Sequence, residues 1–384
     1  MIRITTLVIS ALMASISLCA AAQTAIPDSL LRRYAAEMLM VGFKADSITP
    51  SCDAVRYVRD LHVGGIILFD VDLTGTKQLG SRNITSVHRL RQLTTNLQSF
   101  TDGRLLIALD QEGGRVARLK PQYGYSATVS HQTLGEINNP DTTRHYALAI
   151  AQELAQSGIN MNLAPDIDVN VNANCPVIGK LHPSFSADTA VVAHNAEWFI
   201  DSHHSLNVTC AVKHFPGHGS SNADSHYGLT DVTSSWKPYE LFPFQYLISQ
   251  GKLDAVMTAH IFNRNIDKNL PATLSHETLT SLLREKMHFD GVILTDDMYM
   301  QGIVDNYNIA DAITLAINAG ADMLVMGNNI TTGFEADRPF RVVDIIVDAV
   351  KAGKIKPDRL KESYDRIRKL KSRFPDSGVR TFVF

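Results

Sequence analysis

Eight short apolar runs punctuate the chain, at 38–42, 65–69, 105–110, 161–167, 208–213, 255–259, 292–295 and 323–326. Their apolar residues are consecutive instead of alternating, the pattern of strands covered on both faces in a parallel sheet. Between the runs the period changes to that of a helix. Within 142–156, Tyr146, Ile150 and Leu154 recur every four residues, and Gly158 is placed to stop that helix. Ser275 is placed to cap a helix carrying Leu279, Leu282 and Leu283. Leu360, Tyr364, Ile367 and Phe374 stripe a last helix ahead of Pro375. Eight strands alternating with helices predict an α/β fold, a single (β/α)8 TIM-type barrel over 27–375, followed by a C-terminal tail at 376–384. The competing fold is an open doubly wound sheet. That fold usually carries a glycine-rich nucleotide-binding turn after a strand, and no such turn is found.

The first residues read as an export signal. Arg3 supplies the positive region, 4–18 is apolar, and Ala20-Ala21-Ala22 offers a cleavage site before Gln23. A membrane anchor would need a longer span, of ~20 apolar residues. A lipid-modified Cys19 would want a small residue where bulky Leu18 stands. Residues 1–22 are therefore expected to be a signal peptide, giving a periplasmic or secreted mature chain without a membrane span. Its composition, 45% apolar and 20% charged, is ordinary for a globular protein. A net charge of −3 gives no electrostatic case for nucleic acid or an anionic membrane surface. Past the leader, Cys52, Cys175 and Cys210 cannot all pair, and a core of this size needs no disulfide. Unpaired buried thiols are expected, and no zinc-type cysteine spacing is present.

Chemistry concentrates where the apolar runs end, the place where a barrel of this kind gathers its reactive groups. The third run ends in Asp110-Gln111-Glu112-Gly113-Gly114-Arg115, with Arg118 beyond; the fourth ends in Asp166-Ile167-Asp168. The fifth runs into Lys213-His214-Phe215-Pro216-Gly217-His218-Gly219 and then Asp224-Ser225-His226. The sixth ends in His260 and the seventh in Thr295-Asp296-Asp297. Pro216 and the two glycines forbid a continuing helix, so the fifth segment is a loop leaving a strand. Carboxylates, cations and imidazoles around one cavity suit a polyhydroxylated substrate and glycosidic cleavage. Each also has a plainer role: Asp296 or Asp297 as a helix cap, Asp110 as an ion-pair partner, Gly113-Gly114 as a tight turn. His214 and His218 could ligate a metal, but Pro216-Gly217 breaks the helix that such spacing normally uses. His203 and His204 fall in a helix that reads as exposed, without a role.

Five segments in this order resemble glycoside hydrolase family 3, in its β-N-acetylglucosaminidase (β-hexosaminidase) branch. They are Asp110 to Arg115, Asn162-Leu163-Ala164-Pro165, Pro176-Val177-Ile178-Gly179, the stretch from Lys213 to His226, and Phe289 to Asp297. The resemblance implies a retaining exo-β-N-acetylglucosaminidase on a (β/α)8 barrel, needing no cofactor and no metal. Asp296 would be the nucleophile that forms a covalent glycosyl-aspartate. His226 would be the acid/base, assisted by Asp224. Asp110, Arg118, Lys213 and His214 fall on positions that bind the N-acetylglucosamine. An imidazole titrating near pH ~6.5 can both give and take a proton near neutrality, and an adjacent carboxylate orients it.

The chain departs from that pattern in the segment after Gly179 and in its leader. The family usually has an arginine directly before Ser184-Phe185, where Pro183 stands after Lys180-Leu181-His182. A proline cannot supply a guanidinium to a sugar hydroxyl. The leader points to substrates outside the cytoplasm: peptidoglycan fragments or chitooligosaccharide-type glycans with β-linked N-acetylglucosamine, met by a monomer. A histidine acid/base does not repel an anionic acceptor, so phosphorolysis of the same glycosides competes with hydrolysis as a reading. So do a β-glucosidase-like hydrolase of the same family and a non-catalytic periplasmic sugar-binding protein.

Overall fold

A computed structural model describes residues 26–101, 104–175, 184–223, 228, 230–330 and 333–374. The leader, Pro183 and its neighbours, Asp224, His226 and the C-terminal tail lie outside the described residues. All eight expected strands form, and they close into one parallel barrel. In chain order they are β1 (Leu39–Gly42), β2 (Gly65–Ile67), β3 (Leu106–Leu109), β4 (Met161–Asn162), β5 (Thr209–Phe215), β6 (Ala255–Thr258), β7 (Val292–Asp297) and β8 (Met323–Met326). Closure is made by β1 against β8, with Leu39 opposite Leu324. Every residue of β1, β2, β3, β6 and β8 is buried, as consecutive apolar runs require.

The fourth strand is shorter than its apolar run. Regular pairing covers only Met161 and Asn162, after which Pro165 has no N–H to give to a ladder. Contact with β5 resumes at Asp166, bridged to Lys213, and Ile167 donates its N–H to the Lys213 carbonyl at 2.8 Å. That break turns Asp166 and Asp168 toward the β5 end.

The helices start where their caps predict. Asn139 accepts the Thr142 N–H to open Pro140–Gln156, and Gly158, at φ +73°, follows its end. Ser275 accepts the Thr278 N–H at 3.0 Å ahead of Glu277–Lys286. The last helix, Pro357–Lys371, buries Leu360 and Ile367, as its stripe requires. Among the described residues no disulfide joins the cysteines. Cys175 and Cys210 are buried, but Cys52 is only half-buried. Nor is any helix there long and apolar enough to cross a membrane.

The helix Thr189–His204 corrects an expectation. His203 is fully buried, its ring placed between the Phe199 carbonyl at 2.9 Å and the Asn162 side chain at 3.1 Å. His204 reaches Asp254 at 2.6 Å. Two adjacent histidines look like a solvated helix end, but this end packs beneath the barrel, and burial pushes the His203 ring down to about 4, keeping it neutral.

Asp322, immediately before β8, ties the opposite end of the barrel to its outer helices. It is fully buried and accepts the Ile293 N–H at 3.0 Å, Arg359 Nη2 at 2.9 Å, the Ser363 hydroxyl at 2.9 Å and Arg284. Replacing it with alanine strands buried guanidinium groups, which costs about 3–5 kcal/mol. Asp322→Ala should lower the urea midpoint accordingly with an unchanged slope. An unshifted midpoint would show that the arginines find other partners.

Candidate active site

Ile67, Leu163, Met257 and Val325, from the ends of the even-numbered strands, line the floor of a cavity of about 550 Å³. One side chain from each of four alternate strands is how such barrels fill their interior. Asp110, Lys213 and Asp296, from the ends of the odd-numbered strands β3, β5 and β7, also line it. The charged groups thus stand on a packed apolar layer. Phe69, Leu73 and Tyr299 give the cavity further apolar wall, and Arg115, Arg118 and Lys120 stand along it.

Lys213 is the centre of the charged set. Only 5% of its side chain is exposed. Its ammonium donates to Asp110 Oδ1 at 2.8 Å and to Glu112 Oε1 at 2.7 Å. Burial alone would push the ammonium down, but the two carboxylates prevail and hold it well above the usual lysine range. Asp110 is held from its other side by Arg118 Nη2 at 3.1 Å. Burial opposes its ionisation, yet the charges of Lys213 and Arg118 hold it well below the usual carboxylate range. The plainer reading of Asp110, as an ion-pair partner, and the substrate-binding one therefore coincide. A hairpin keeps Arg118 in place. Buried Gln111 accepts the N–H groups of Arg118 and Leu119 at 2.8 and 2.9 Å, and Gly113 and Gly114 turn the chain at φ +111° and +58°. A Cβ on Gly113 would meet the Val129 carbonyl at 2.3 Å, so the pair serves as the tight turn.

His214, next to Lys213, is oriented by Asp168. Asp168 Oδ2 accepts from the ring Nδ1 at 2.7 Å; Oδ1 accepts the backbone N–H groups of His214 and His218 at 3.2 and 2.7 Å. Burial would push Asp168 up, but these donors hold it ionised. Its partner in the fourth segment behaves oppositely. Asp166 is raised well above the usual range by burial and by the adjacent charges of Asp168 and Glu112, so its ionisation is disfavoured. The acceptor atoms of Asp166, Asp168 and His214 lie within 4.8 Å of one another, a spacing a metal could use. Asp168, however, is already saturated by N–H donors, and His214 presents its protonated Nδ1 to it. The cluster serves to orient the His214 ring where it lines the cavity.

On β7 the two consecutive aspartates differ. Asp296 lines the cavity, and its Oδ1 accepts the Asp297 N–H at 2.7 Å. Asp297 uses both oxygens on backbone, accepting Tyr299 N–H and Gly327 N–H at 3.0 Å each. It thereby caps the turn after β7 and ties β7 to β8. His260 is fully buried, with its ring between Thr273 Oγ1 at 2.8 Å and the Asp297 carbonyl at 3.0 Å, and it supports β7 from behind. The structure therefore brings Asp110, Arg118, Lys213, His214 and Asp296 to one cavity. Asp166 and Glu112 line it too, and Asp168 joins through His214; in the sequence these three are visible only as carboxylates at strand ends. Asp224 and His226 fall outside the described residues.

The comparisons with known proteins agree on one lineage. The model of the glycosyl hydrolase family 3 N-terminal domain matches residues 30–370. A protein of Pseudoalteromonas piscicida named beta-hexosaminidase A is 34% identical over 337 residues, covering 83% of this chain and 54% of its own length. A beta-hexosaminidase of Tolumonas auensis is 36% identical over 277 residues, covering 71% of this chain and 78% of its own. Among solved structures, a family 3 beta-N-acetylglucosaminidase from a Paenibacillus species superposes with a TM-score of 0.79 at 31% identity, over 92% of this chain and 66% of that one. The chain thus spans about half to four-fifths of the length of these relatives.

Burial pushes Asp297 up to about 6, with the neighbouring Asp296 charge adding, against the two N–H bonds that favour its ionised form. The folded state therefore holds this proton more tightly than the unfolded chain. The resulting stabilisation is full below about pH 4 and is lost as pH rises through 6, a change on the order of 2–3 kcal/mol. Asp297→Asn should remove that slope, so wild type and variant diverge in unfolding free energy between pH 4 and pH 7. Parallel pH profiles would place the titration elsewhere.

Proposed function

The chain belongs to glycosyl hydrolase family 3, and from that premise we propose that it is a retaining exo-β-N-acetylglucosaminidase. The observation that carries the proposal is the convergence of Asp296 with Asp110, Arg118, Lys213 and His214 in one cavity. Fixed donors and acceptors of that kind hold the hydroxyls of a single terminal sugar. Asp296 attacks the anomeric carbon as the bond to the leaving oxygen breaks. His226, held by Asp224, gives its proton to that oxygen. The glycosyl-aspartate is then opened by water, whose proton returns to His226, and the sugar leaves with retained configuration. The names of the relatives support N-acetylglucosamine as this sugar. Residues 1–22 support export, with peptidoglycan fragments or chitooligosaccharides as substrates outside the cytoplasm. The chemistry needs no metal or cofactor.

A panel of chromogenic β-glycosides tests this reading. Activity should appear on the N-acetylglucosaminide and not on the glucoside, and Asp296→Ala should fall to background. His226→Ala should lose about 10²–10⁴-fold on aglycones that need protonation. Full activity in Asp296→Ala would overturn the mechanism; preference for the glucoside would move the chain to another branch. Product analysis in phosphate buffer separates hydrolysis from phosphorolysis. Free sugar alone is the expected product, and sugar 1-phosphate would convert the assignment to a phosphorylase.

A further inference from the structure

Behind the segment that leaves β5 lies a carboxyl that the reaction as derived does not use. Glu240, in the short helical turn Pro238–Leu241, is fully buried. Its Oε1 accepts the Lys237 N–H at 2.9 Å, and its Oε2 has no hydrogen-bond partner among the described residues. The hydroxyl of Ser220 is also buried without a partner there. Ser220 is close enough that its N–H and hydroxyl favour the ionised form of the Glu240 carboxyl. An acceptor and a donor are thus buried side by side, in the segment that leaves the sugar-binding strand end.

The backbone between them is fitted closely. Trp236 donates its indole N–H to the Pro216 carbonyl at 3.0 Å. Gly217, at φ +116°, packs directly on the glutamate; a Cβ there would lie 2.9 Å from Glu240 Cβ and 3.2 Å from Oε2. The next residue, His218, gives its N–H to Asp168, and Ser221 returns its N–H to the His218 carbonyl at 3.2 Å. Residues 216–221 are therefore held between the sugar-binding strand ends on one side and Trp236 with Glu240 on the other.

We propose that Glu240 is a positioning residue for proton transfer: its carboxyl takes the Ser220 hydroxyl and fixes residues 216–221, the stretch of chain that precedes Asp224 and His226 in sequence. The proposal rests on the reading of His226 as the acid/base. Glu240 touches neither substrate nor reacting atoms in this role.

The test uses the full mature chain and two aryl N-acetylglucosaminides, one with a dinitrophenol leaving group that departs unaided and one with a phenol that needs a proton. Glu240→Ala should lose about 10-fold or more in kcat/KM on the phenyl substrate and under about threefold on the dinitrophenyl one. Glu240→Gln, which can still bond both Lys237 and Ser220, should keep most of the activity on each. Ser220→Ala removes only a hydroxyl and should show the same selective loss in smaller measure, whether or not Glu240→Ala folds. Equal losses on both substrates, or none on either, would reduce Glu240 to packing and overturn the proposal. A His226→Ala variant run alongside separates the two failures. If its loss is selective for phenol and that of Glu240→Ala is not, only Glu240 was misjudged; if His226→Ala shows no selectivity, the acid/base reading falls and the proposal falls with it.

Discussion

Lys213 must be charged in a place where a lone charge would not survive. Its ammonium sits at the centre of a closed barrel, on an apolar layer formed by Ile67, Leu163, Met257 and Val325. Removing such an ion from water costs several kcal/mol, and only close opposite charge offsets that. Asp110 and Glu112 supply it, and Arg118 then neutralises what Asp110 leaves over. The hairpin through Gly113 and Gly114 exists in the geometry it has because Arg118 must return to Asp110. Preorganisation follows directly. These donors and acceptors are already desolvated and aimed before a sugar arrives, so binding need not order them.

The same pressure sorts the carboxylates. Six carboxylates line the cavity, and burial in a low-dielectric site opposes the ionisation of each one that lacks a cation or N–H donors. Asp110 and Asp168 stay charged because cations or N–H donors saturate them. Asp166 and Glu112 are pushed up by burial, and Asp166 also by the charges beside it. Asp168 can then act on His214 as a fixed anion, holding by Nδ1 a ring that lines the cavity.

Much of this is legible in the sequence, for definite reasons. The eight strands can be read because each is buried on both faces and so is apolar without alternation. Asp110, Lys213 and Asp296 can be read because strand ends in such a barrel converge. Other parts depend on contacts between distant residues. Pro165 ends the β4 ladder after two residues, but only the β5 pairing at Lys213 shows where the chain goes next. His203 reads as exposed because its neighbours in sequence are polar, and its burial comes from Asn162 on β4. Glu240 carries no sequence signal at all: Gly217, Ser220 and Trp236 acquire their meaning only when the fold stacks them. The long-range half of a site, the part that orients and does not react, is the half that a linear reading loses.

The pair on β7 shows how far geometry can discriminate where sequence cannot. Asp296 and Asp297 are adjacent, chemically identical, and equally plausible as a nucleophile or a cap on residue type alone. A nucleophile must be ionised and must present an oxygen to the anomeric carbon. Asp297 is poorly placed for that role. Both its oxygens are engaged by the Tyr299 and Gly327 N–H groups, and burial raises its carboxyl toward neutrality. Gly327 makes that engagement tight: a Cβ there would lie 2.8 Å from Asp297 Oδ2 and 2.9 Å from the Phe69 ring. Asp297 is thus committed to joining β7 to β8 at the rim of the cavity. That commitment fixes the backbone from which Asp296 projects, and the Asp297 N–H in turn steadies Asp296 Oδ1 at 2.7 Å. On the proposed mechanism the motif uses two aspartates because positioning the reacting carboxylate and providing it are separate tasks at a strand end.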